Sequence, residues 1–343
     1  MAHKKIYFEF INGKANNGGN KARRDAQVLF ERNGYKKKTI PFCATDSWIK
    51  SILFIPFGIH AVLSLAQKNE IIMNFHQFSR KEALILWFLK KIKKAKNLKL
   101  VALVHDLPEL QFKQDFPKKS YRTENLLRFD DIIAHNESMK QWIKENGGEN
   151  HRIYSLEIFD YLSSEQNSGG VFGNEIIIAG NLREDKTKYL QGLGMLNTLK
   201  FNLYGINLSQ NISQLKNINY KGAFSPEEVI TNILGSYGLV WDSETLKGGE
   251  GYMGEYQRYN NPHKISLYLA AGFPVIAWKE AALAPLVEDN NLGFVVNDLS
   301  EIPKFIENIT EDDYREMKQN ALDIGEKLRK GYFLTHVLQQ INN

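Results

Sequence analysis

Cysteine is nearly missing from this chain: its 343 residues hold one, Cys43. That excludes an internal disulfide framework and fits a reducing compartment. Cys43 itself reads as a buried thiol rather than a nucleophile. Long apolar runs are missing too. The most apolar stretch, residues 51–66, covers 16 positions and is interrupted by Pro56 and Gly58, whereas a membrane-spanning helix needs about 20 residues. The stretch therefore reads as a core helix. No secretory leader is visible, because Met-Ala-His-Lys-Lys runs straight into a strand-like segment at 6–11, so the expected location is the cytoplasm. No Asp-x-Asp motif sits at a strand end; Asp130-Asp131 falls at a strand start and reads as turn chemistry. No internal repeat is present, and no recognition motif for nucleic-acid grooves or single strands.

What is there is ordinary in bulk: 43% hydrophobic and 24% charged residues, the composition of a soluble globular protein. The length suits two domains of about 150–170 residues. Charge is unevenly shared. Residues 1–150 hold 27 Lys and Arg against 15 Asp and Glu, a balance of +12; residues 151–343 hold 17 against 24, a balance of −7. Such asymmetry points the first half at an anionic partner. Trp87-Phe88-Leu89 leads into Lys90-Lys91-Ile92-Lys93-Lys94-Ala95-Lys96, a basic amphipathic pattern suited to an anionic membrane surface. A solvated basic face is the plainer reading of the same run.

The first half alternates strands (6–11, 38–42, 70–74, 98–104, 131–135) with helices (21–33, 81–95, 138–146), and 12–20 reads as a flexible turn. Residues 163–173 are small and polar, a linker pattern. The second half restarts with strands at 175–179, 201–204 and 239–241, and helices at 186–193, 226–234, 311–328 and 332–341. Buried strands alternating with helices imply parallel sheets, hence an α/β protein of two doubly wound domains. The expected division is an acceptor- and membrane-facing domain over 1–160, a nucleotide-sugar domain over 174–328, and a closing helix over 329–343 that packs back on the first domain. In that architecture the loops at the strand carboxyl ends line a cleft.

Residues 259–276, Tyr-Asn-Asn-Pro-His-Lys-Ile-Ser-Leu-Tyr-Leu-Ala-Ala-Gly-Phe-Pro-Val-Ile, carry the clearest chemistry. A polar, basic start enters an apolar helix that ends at Gly272 before a buried strand. Asn260 or Asn261 serves as the cap, with Pro262 in the first turn. Free N–H groups at such a start, with Lys264 among them, suit an anion and above all a diphosphate. Most capped helices bind nothing, so the rest of the chain has to support this.

It does. Gly180-Asn181-Leu182 after a strand, Gly238-Leu239-Val240-Trp241-Asp242, Tyr256 to Lys264 and Ser266 to Ile276 resemble bacterial galactofuranosyltransferases and the related Gtf-type glucosyltransferases of surface-glycan synthesis, which have the GT-B fold. Lys330-Gly331-Tyr332-Phe333, the run from Gly18-Gly19-Asn20 to Asp25, and His105-Asp106-Leu107-Pro108 extend the resemblance over nearly the whole chain.

The resemblance implies hexose transfer from a UDP-sugar to a glycan acceptor, lipid-linked and at the membrane. UDP-galactofuranose is the first donor and UDP-glucose the second. No metal or other cofactor is implied, and association of copies is left open. The donor set is Gly180, Asn181, Arg183, Lys186, Asp242, Glu255, Tyr256, Asn260, Asn261, His263 and Lys264, and Gly18, Gly19 and Asn20 form a phosphate or acceptor loop. Many retaining GT-B enzymes carry Glu thirteen and five positions before the glycine matching Gly272; Tyr259 and Leu267 stand there, which favours inversion. An inverting enzyme needs a general base, for which Asp106 is the first candidate and His105 the second. The rival reading is a non-catalytic subunit that binds nucleotide or glycan.

Overall fold

A computed structural model describes residues 4–10, 18–40, 48–75, 80–111, 123–167 and 169–343. The chain forms two compact units. One comprises β1, residues 23–156 and residues 335–343; the other comprises the start of the first helix as far as Ala22 and residues 157–334. Cys43 and positions 12–17 of the expected turn lie outside the described residues.

The first unit contains, in order, β1 (Lys4–Phe10), α1 (Gly18–Arg32), β2 (Lys36–Ile40), α2 (Trp48–Leu63), β3 (Asn69–Phe75), α3 (Arg80–Lys96), β4 (Lys99–Val104), α4 (Pro108–Gln111), α5 (Thr123–Leu126), β5 (Asp131–Ala134), α6 (Glu137–Ile143) and β6 (Arg152–Ser155). Its six strands are all parallel, in the order β2-β1-β3-β4-β5-β6. Ile71, Ile72, Met73 and Leu100 through Val104 are buried on both faces, the continuous apolar pattern of a parallel sheet covered on both sides. Ala22, Ala26, Leu29 and Phe30 give α1 its buried stripe, at the spacing of one helix face.

At the amino ends of the strands, Lys99 Nζ joins Glu70 (2.9 Å), Asp131 (3.2 Å) and the carbonyl of Ile341 (3.0 Å). This network fastens the last helix to the sheet. Asp130, read from sequence as turn chemistry, bonds Lys93 Nζ at 2.5 Å and accepts from the Leu100 N–H at 2.8 Å. The helix expected as core over 51–66 is α2, and it leaves Phe57 61% and Leu63 48% exposed.

The second unit contains β7 (Glu175–Asn181), β8 (Lys200–Ile206), α7 (Gln210–Ser213), β9 (Ile218–Tyr220), α8 (Val229–Asn232), β10 (Tyr237–Val240), α9 (Gly251–Tyr256), α10 (His263–Ala270), β11 (Val275–Trp278), α11 (Ala284–Asp289), β12 (Gly293–Val296), α12 (Ile302–Asn308), α13 (Glu311–Lys330) and the first residues of α14 (Tyr332–Asn342). Its sheet is also all parallel, ordered β12-β11-β10-β7-β8-β9. The helix expected over 186–193 is a 3-10 segment, Lys188–Met195, and that over 226–234 shrinks to Val229–Asn232. Pro226 and the Gly235 boundary leave the latter no length to propagate. By contrast, α13 runs 20 residues because its ends are well made. Thr310 and Asp313 form a capping box, three acids occupy the first turn, and Gly331 closes the helix at φ 83°; each device offsets orphan groups or the macrodipole.

In both sheets the chain reverses direction of travel once, between β1 and β3 in the first unit and between β7 and β10 in the second. Ligands of doubly wound sheets bind at the carboxyl side of such switch points. In the second unit α10 crosses β10 at Gly238. A Cβ there would lie 2.2 Å from the Tyr268 ring, so glycine is what lets the helix approach. Gly238→Ala is expected to lower unfolding free energy by about 2–3 kcal/mol through overpacking, read from the urea midpoint.

Candidate functional site

The switch point of the second unit assembles most of the sequence-expected donor residues. Gly180 and Asn181 end β7, and Trp241 and Asp242 follow β10. Gly180 has φ 139°, and nothing lies within 4 Å of where its Cβ would be; the strand therefore opens onto free space there, in a conformation that favours glycine. The Ala179 N–H donates to the Tyr268 hydroxyl at 2.8 Å, tying the end of β7 to α10.

The start of α10 differs from expectation in detail. The N-cap is Pro262, the helix begins at His263, and no side chain caps it. Asn261 does not cap; its Nδ2 donates to the Glu157 carbonyl at 2.8 Å. Asn260 does not cap either, and its buried Oδ1 has no partner. Proline lacks a side-chain acceptor, the Ile265 N–H turns to the Pro262 carbonyl at 3.1 Å, and no acidic residue shares the turn with the His263 and Lys264 N–H groups. Such a turn favours an anion. Lys264, the second helical residue, aims Nζ at the Trp241 carbonyl (2.9 Å) and Asp242 Oδ1 (2.7 Å). Those bonds use two of its three donors, and its side chain is 20% exposed.

Around this centre the β7 loop contributes Arg183 and Lys186, both exposed. Arg183 grips Asp185 through both guanidinium arms, with Nη2 at 2.7 Å from Oδ2; this pair raises the arginine and lowers the carboxyl. An exposed pair of that kind holds little free energy and can exchange for another anion. Asn181 Oδ1 accepts from the Arg183 N–H (3.2 Å) and Asn207 Nδ2 (2.9 Å). Glu255 lies on α9, its carboxylate 3.7 Å from Arg258, and Tyr256 is buried.

Three groups escaped the sequence reading. Among the described residues, Gln257 is buried with neither amide atom partnered, and the hydroxyls of Ser266 and Tyr189 are also buried without partners. Tyr189 titrates well above its ordinary value, through burial first and then the neighbouring Asp242. Unpaired polar atoms were the signal, and only coordinates reveal them. Glycines 248, 249, 251 and 254 form the turn before and within α9; Cβ atoms at 248 and 249 would overlap Trp278.

In the first unit His105 and Asp106 follow β4. The His105 N–H donates to the Phe75 carbonyl (2.7 Å), and its Nε2 donates to Asn74 Oδ1 (2.9 Å). His135, at the end of β5, hydrogen-bonds the carbonyls of His105 and Val104, while burial pushes its pKa down to about 4. These bonds brace His105 in the loop after β4, and Asp106 beside it is half-buried. Gly18, Gly19 and Asn20 are the first turn of α1 rather than the end of a free turn.

A family model described as "Glucosyltransferase 3-like, C-terminal domain" matches residues 176–341, and its N-terminal counterpart matches residues 5–158. The chain belongs to the glucosyltransferase 3-like family. One relative, the β-1,6-galactofuranosyltransferase WbbI of Escherichia coli (strain K12), is 29% identical over 341 residues, 96% of each chain. Another, glucosyltransferase 3 of Streptococcus gordonii, is 27% identical over 252 residues, 73% of this chain and 72% of that one. The solved structure of Anabaena HepE with UDP and glucose matches with a TM-score of 0.60 at 14% identity, covering 99% of this chain and 98% of that one. The fold is GT-B, and this member of the glucosyltransferase 3-like family is a hexosyltransferase.

His263 adds a pH dependence. Burial drives its pKa down to about 4, with the Lys21 charge adding to the effect, so it and His135 are neutral when folded. Below about pH 6.5 the unfolded chain takes up protons the folded chain refuses, costing up to about 1.4 kcal/mol per pH unit for each ring. Stability is therefore expected to fall as pH drops from about 6.5 toward 4, and His263→Gln is expected to flatten that slope in urea titrations.

Proposed function

We propose that this enzyme transfers galactofuranose from its UDP conjugate to a lipid-linked glycan acceptor of the cell surface, with inversion and without a metal. The observation that carries the reading is the uncapped first turn of α10 with Lys264 in it. A leaving UDP develops charge on its β-phosphate, and fixed N–H groups beside an ammonium stabilise that charge without reorganising. The β-1,6-galactofuranosyltransferase name of the relative that matches 96% of the chain supports the furanose donor; UDP-glucose is the second choice, after the streptococcal relative. Gly180, Asn181, Arg183, Lys186 and Asp242 supply the remaining contacts to the donor, and the first turn of α1 supplies contacts to phosphate or acceptor. Asp106 takes the acceptor hydroxyl proton as the oxygen attacks the anomeric carbon, and the C–O bond to the diphosphate breaks on the opposite side. Inversion is supported by Tyr259 and Leu267 in place of a carboxylate pair.

Two variants test this together. Lys264→Ala is expected to weaken UDP binding about tenfold or more, the loss of a charge-assisted contact of about 1.5–3 kcal/mol, measured by calorimetry. Asp106→Asn is expected to keep UDP affinity while losing at least a hundredfold in kcat, the reach of general base catalysis. Unchanged UDP affinity in Lys264→Ala would sink the donor site. Purified protein that releases no UDP from any nucleotide sugar, given any acceptor extract, would favour the non-catalytic subunit instead.

A lipid-linked acceptor requires work beside a membrane, and no described helix is long and apolar enough to cross one. The reading is peripheral attachment at the inner face through α2 and α3. These helices pack on each other, with Phe57, Leu63 and Trp87 exposed beside exposed Lys90, Lys91 and Lys94. Lys93 is committed to Asp130 and Lys96 to the Leu63 and Leu65 carbonyls. Replacing Lys90, Lys91 and Lys94 by Gln should weaken binding to anionic vesicles about a hundredfold, at about 1 kcal/mol per lysine; equal sedimentation with vesicles would discredit the surface.

A further inference from the structure

We propose that Tyr161 is a positioning residue of the donor site, the ring through which residues 157–162 hold the first turns of α1 and α10 in register. The proposal rests on the reading of the α10 start as the diphosphate site, and extends it to residues that touch no substrate.

Five contacts converge on this short segment. Asn261 Nδ2 donates to the Glu157 carbonyl at 2.8 Å, and His263 Nε2 lies 3.2 Å from the Asp160 carbonyl. These two anchors flank Pro262 and immediately precede Lys264. The His263 ring stacks on Tyr161, with centroids 5.1 Å apart and planes 25° apart. Lys21, in the first turn of α1, places Nζ 4.9 Å from the centre of the same Tyr161 ring and donates to the Leu162 carbonyl at 2.7 Å. Both sequence-expected ligand segments, Gly18–Asn20 and Asn260–Lys264, therefore connect to one aromatic ring through adjacent residues.

The chemistry is costlier than plain packing requires. Lys21 is only 5% exposed, and burying an ammonium costs free energy that its contacts to the ring and the carbonyl help to offset. Glu157 sits at φ 68°, a left-handed conformation that persists only where surroundings enforce it. The Asp160 carboxylate is fixed as well, accepting from the Phe333 (3.1 Å) and Leu334 (2.8 Å) N–H groups. The Tyr161 hydroxyl donates to the Pro226 carbonyl at 2.5 Å, which keeps the ring plane set. An immobile ring of this kind is what an anion site needs, since a shift near 1 Å at the first turn of α10 would misdirect N–H groups and Lys264 alike.

The test measures UDP affinity by calorimetry on the full chain. Tyr161→Leu removes the ring and is expected to raise the UDP Kd about tenfold, the combined reach of one stacking and one cation–π contact. Tyr161→Phe retains the ring and is expected to bind within about twofold of the parent, a rescue that separates ring from hydroxyl. Lys21→Met is expected to weaken UDP several-fold, and the double variant Lys21→Met/Tyr161→Leu no further than Tyr161→Leu alone, because both act along one path. Parental affinity in folded Tyr161→Leu, or losses that simply add in the double variant, would overturn the proposal. Should Tyr161→Leu not fold, parental affinity in both Lys21→Met and His263→Gln overturns it equally. Lys264→Ala separates the two layers: if it binds UDP normally, the donor site itself is wrong, whereas weakened Lys264→Ala beside unaffected Tyr161→Leu removes this inference alone.

Discussion

The buried hydrogen bond from the Ala179 N–H to the Tyr268 hydroxyl sets where α10 lies, and the geometry of its first turn follows from it. The bond needs the Tyr268 ring to cross β10, and Gly238 is the gap through which it does so. Once Tyr268 is held there, the first turn of α10 stands one helical turn toward the carboxyl ends of β7 and β10, beside Trp241 and Asp242. The far end of the helix is held too. Arg329 of α13 donates to the Ala270 carbonyl, and Gly325 brings α13 against the Leu269 carbonyl, where a Cβ would lie 2.3 Å away. Burial pushes the Tyr268 hydroxyl well above its ordinary pKa, so it stays neutral and the contact is insensitive to pH in the physiological range. A helix fixed at both ends presents its orphan N–H groups as a rigid surface, which is the condition for using them on developing charge.

Much of this was legible in the sequence, and the parts that were not share a cause. The parallel sheets could be read from runs such as Leu98 to Val104 and Ile176 to Ile178, since strands buried on both faces lose the alternation of half-exposed ones. The helix at 263–270 and the glycine after it were legible because apolar spacing and termination are local. Three kinds of feature were not. Short strands such as β9 and β12 carry too few residues for a periodic signal. The cap of α10 was assigned to the wrong residue because Asn261 had a better partner in Glu157, 104 positions away. Lys93 looked like part of a basic face, yet Asp130 claims it across 37 positions. In each case a long-range polar contact outcompeted a local preference, and a single sequence records only the preference.

The same contest explains the α2 helix. Its composition reads as core, yet its side chains at 57 and 63 face solvent, so the apolar character is surplus to the packing of the unit. Exposed aromatics next to exposed lysines form a different surface from a solvated basic face: Phe57 and Trp87 supply area, and Lys90, Lys91 (its Nζ 5.2 Å over the Trp87 ring) and Lys94 supply charge. The carboxylates near that surface are already satisfied elsewhere, Glu70 and Asp131 by Lys99 and Asp130 by Lys93.

The pairing of Lys264 with Asp242 looks at first like an argument against an anion site, because a carboxylate 2.7 Å from the ammonium repels a phosphate. The balance runs the other way. A lone ammonium beside uncapped N–H groups in a half-buried turn would repel them and lose hydration, a cost that partial neutralisation by Asp242 removes. A diphosphate carries more charge than one carboxylate and meets several donors at once, so it can displace the Asp242 contact while gaining the helix start. A monovalent anion gains too little to do so. On the donor-site reading proposed above, Asp242 holds Lys264 until an anion carrying more charge than one carboxylate takes its place.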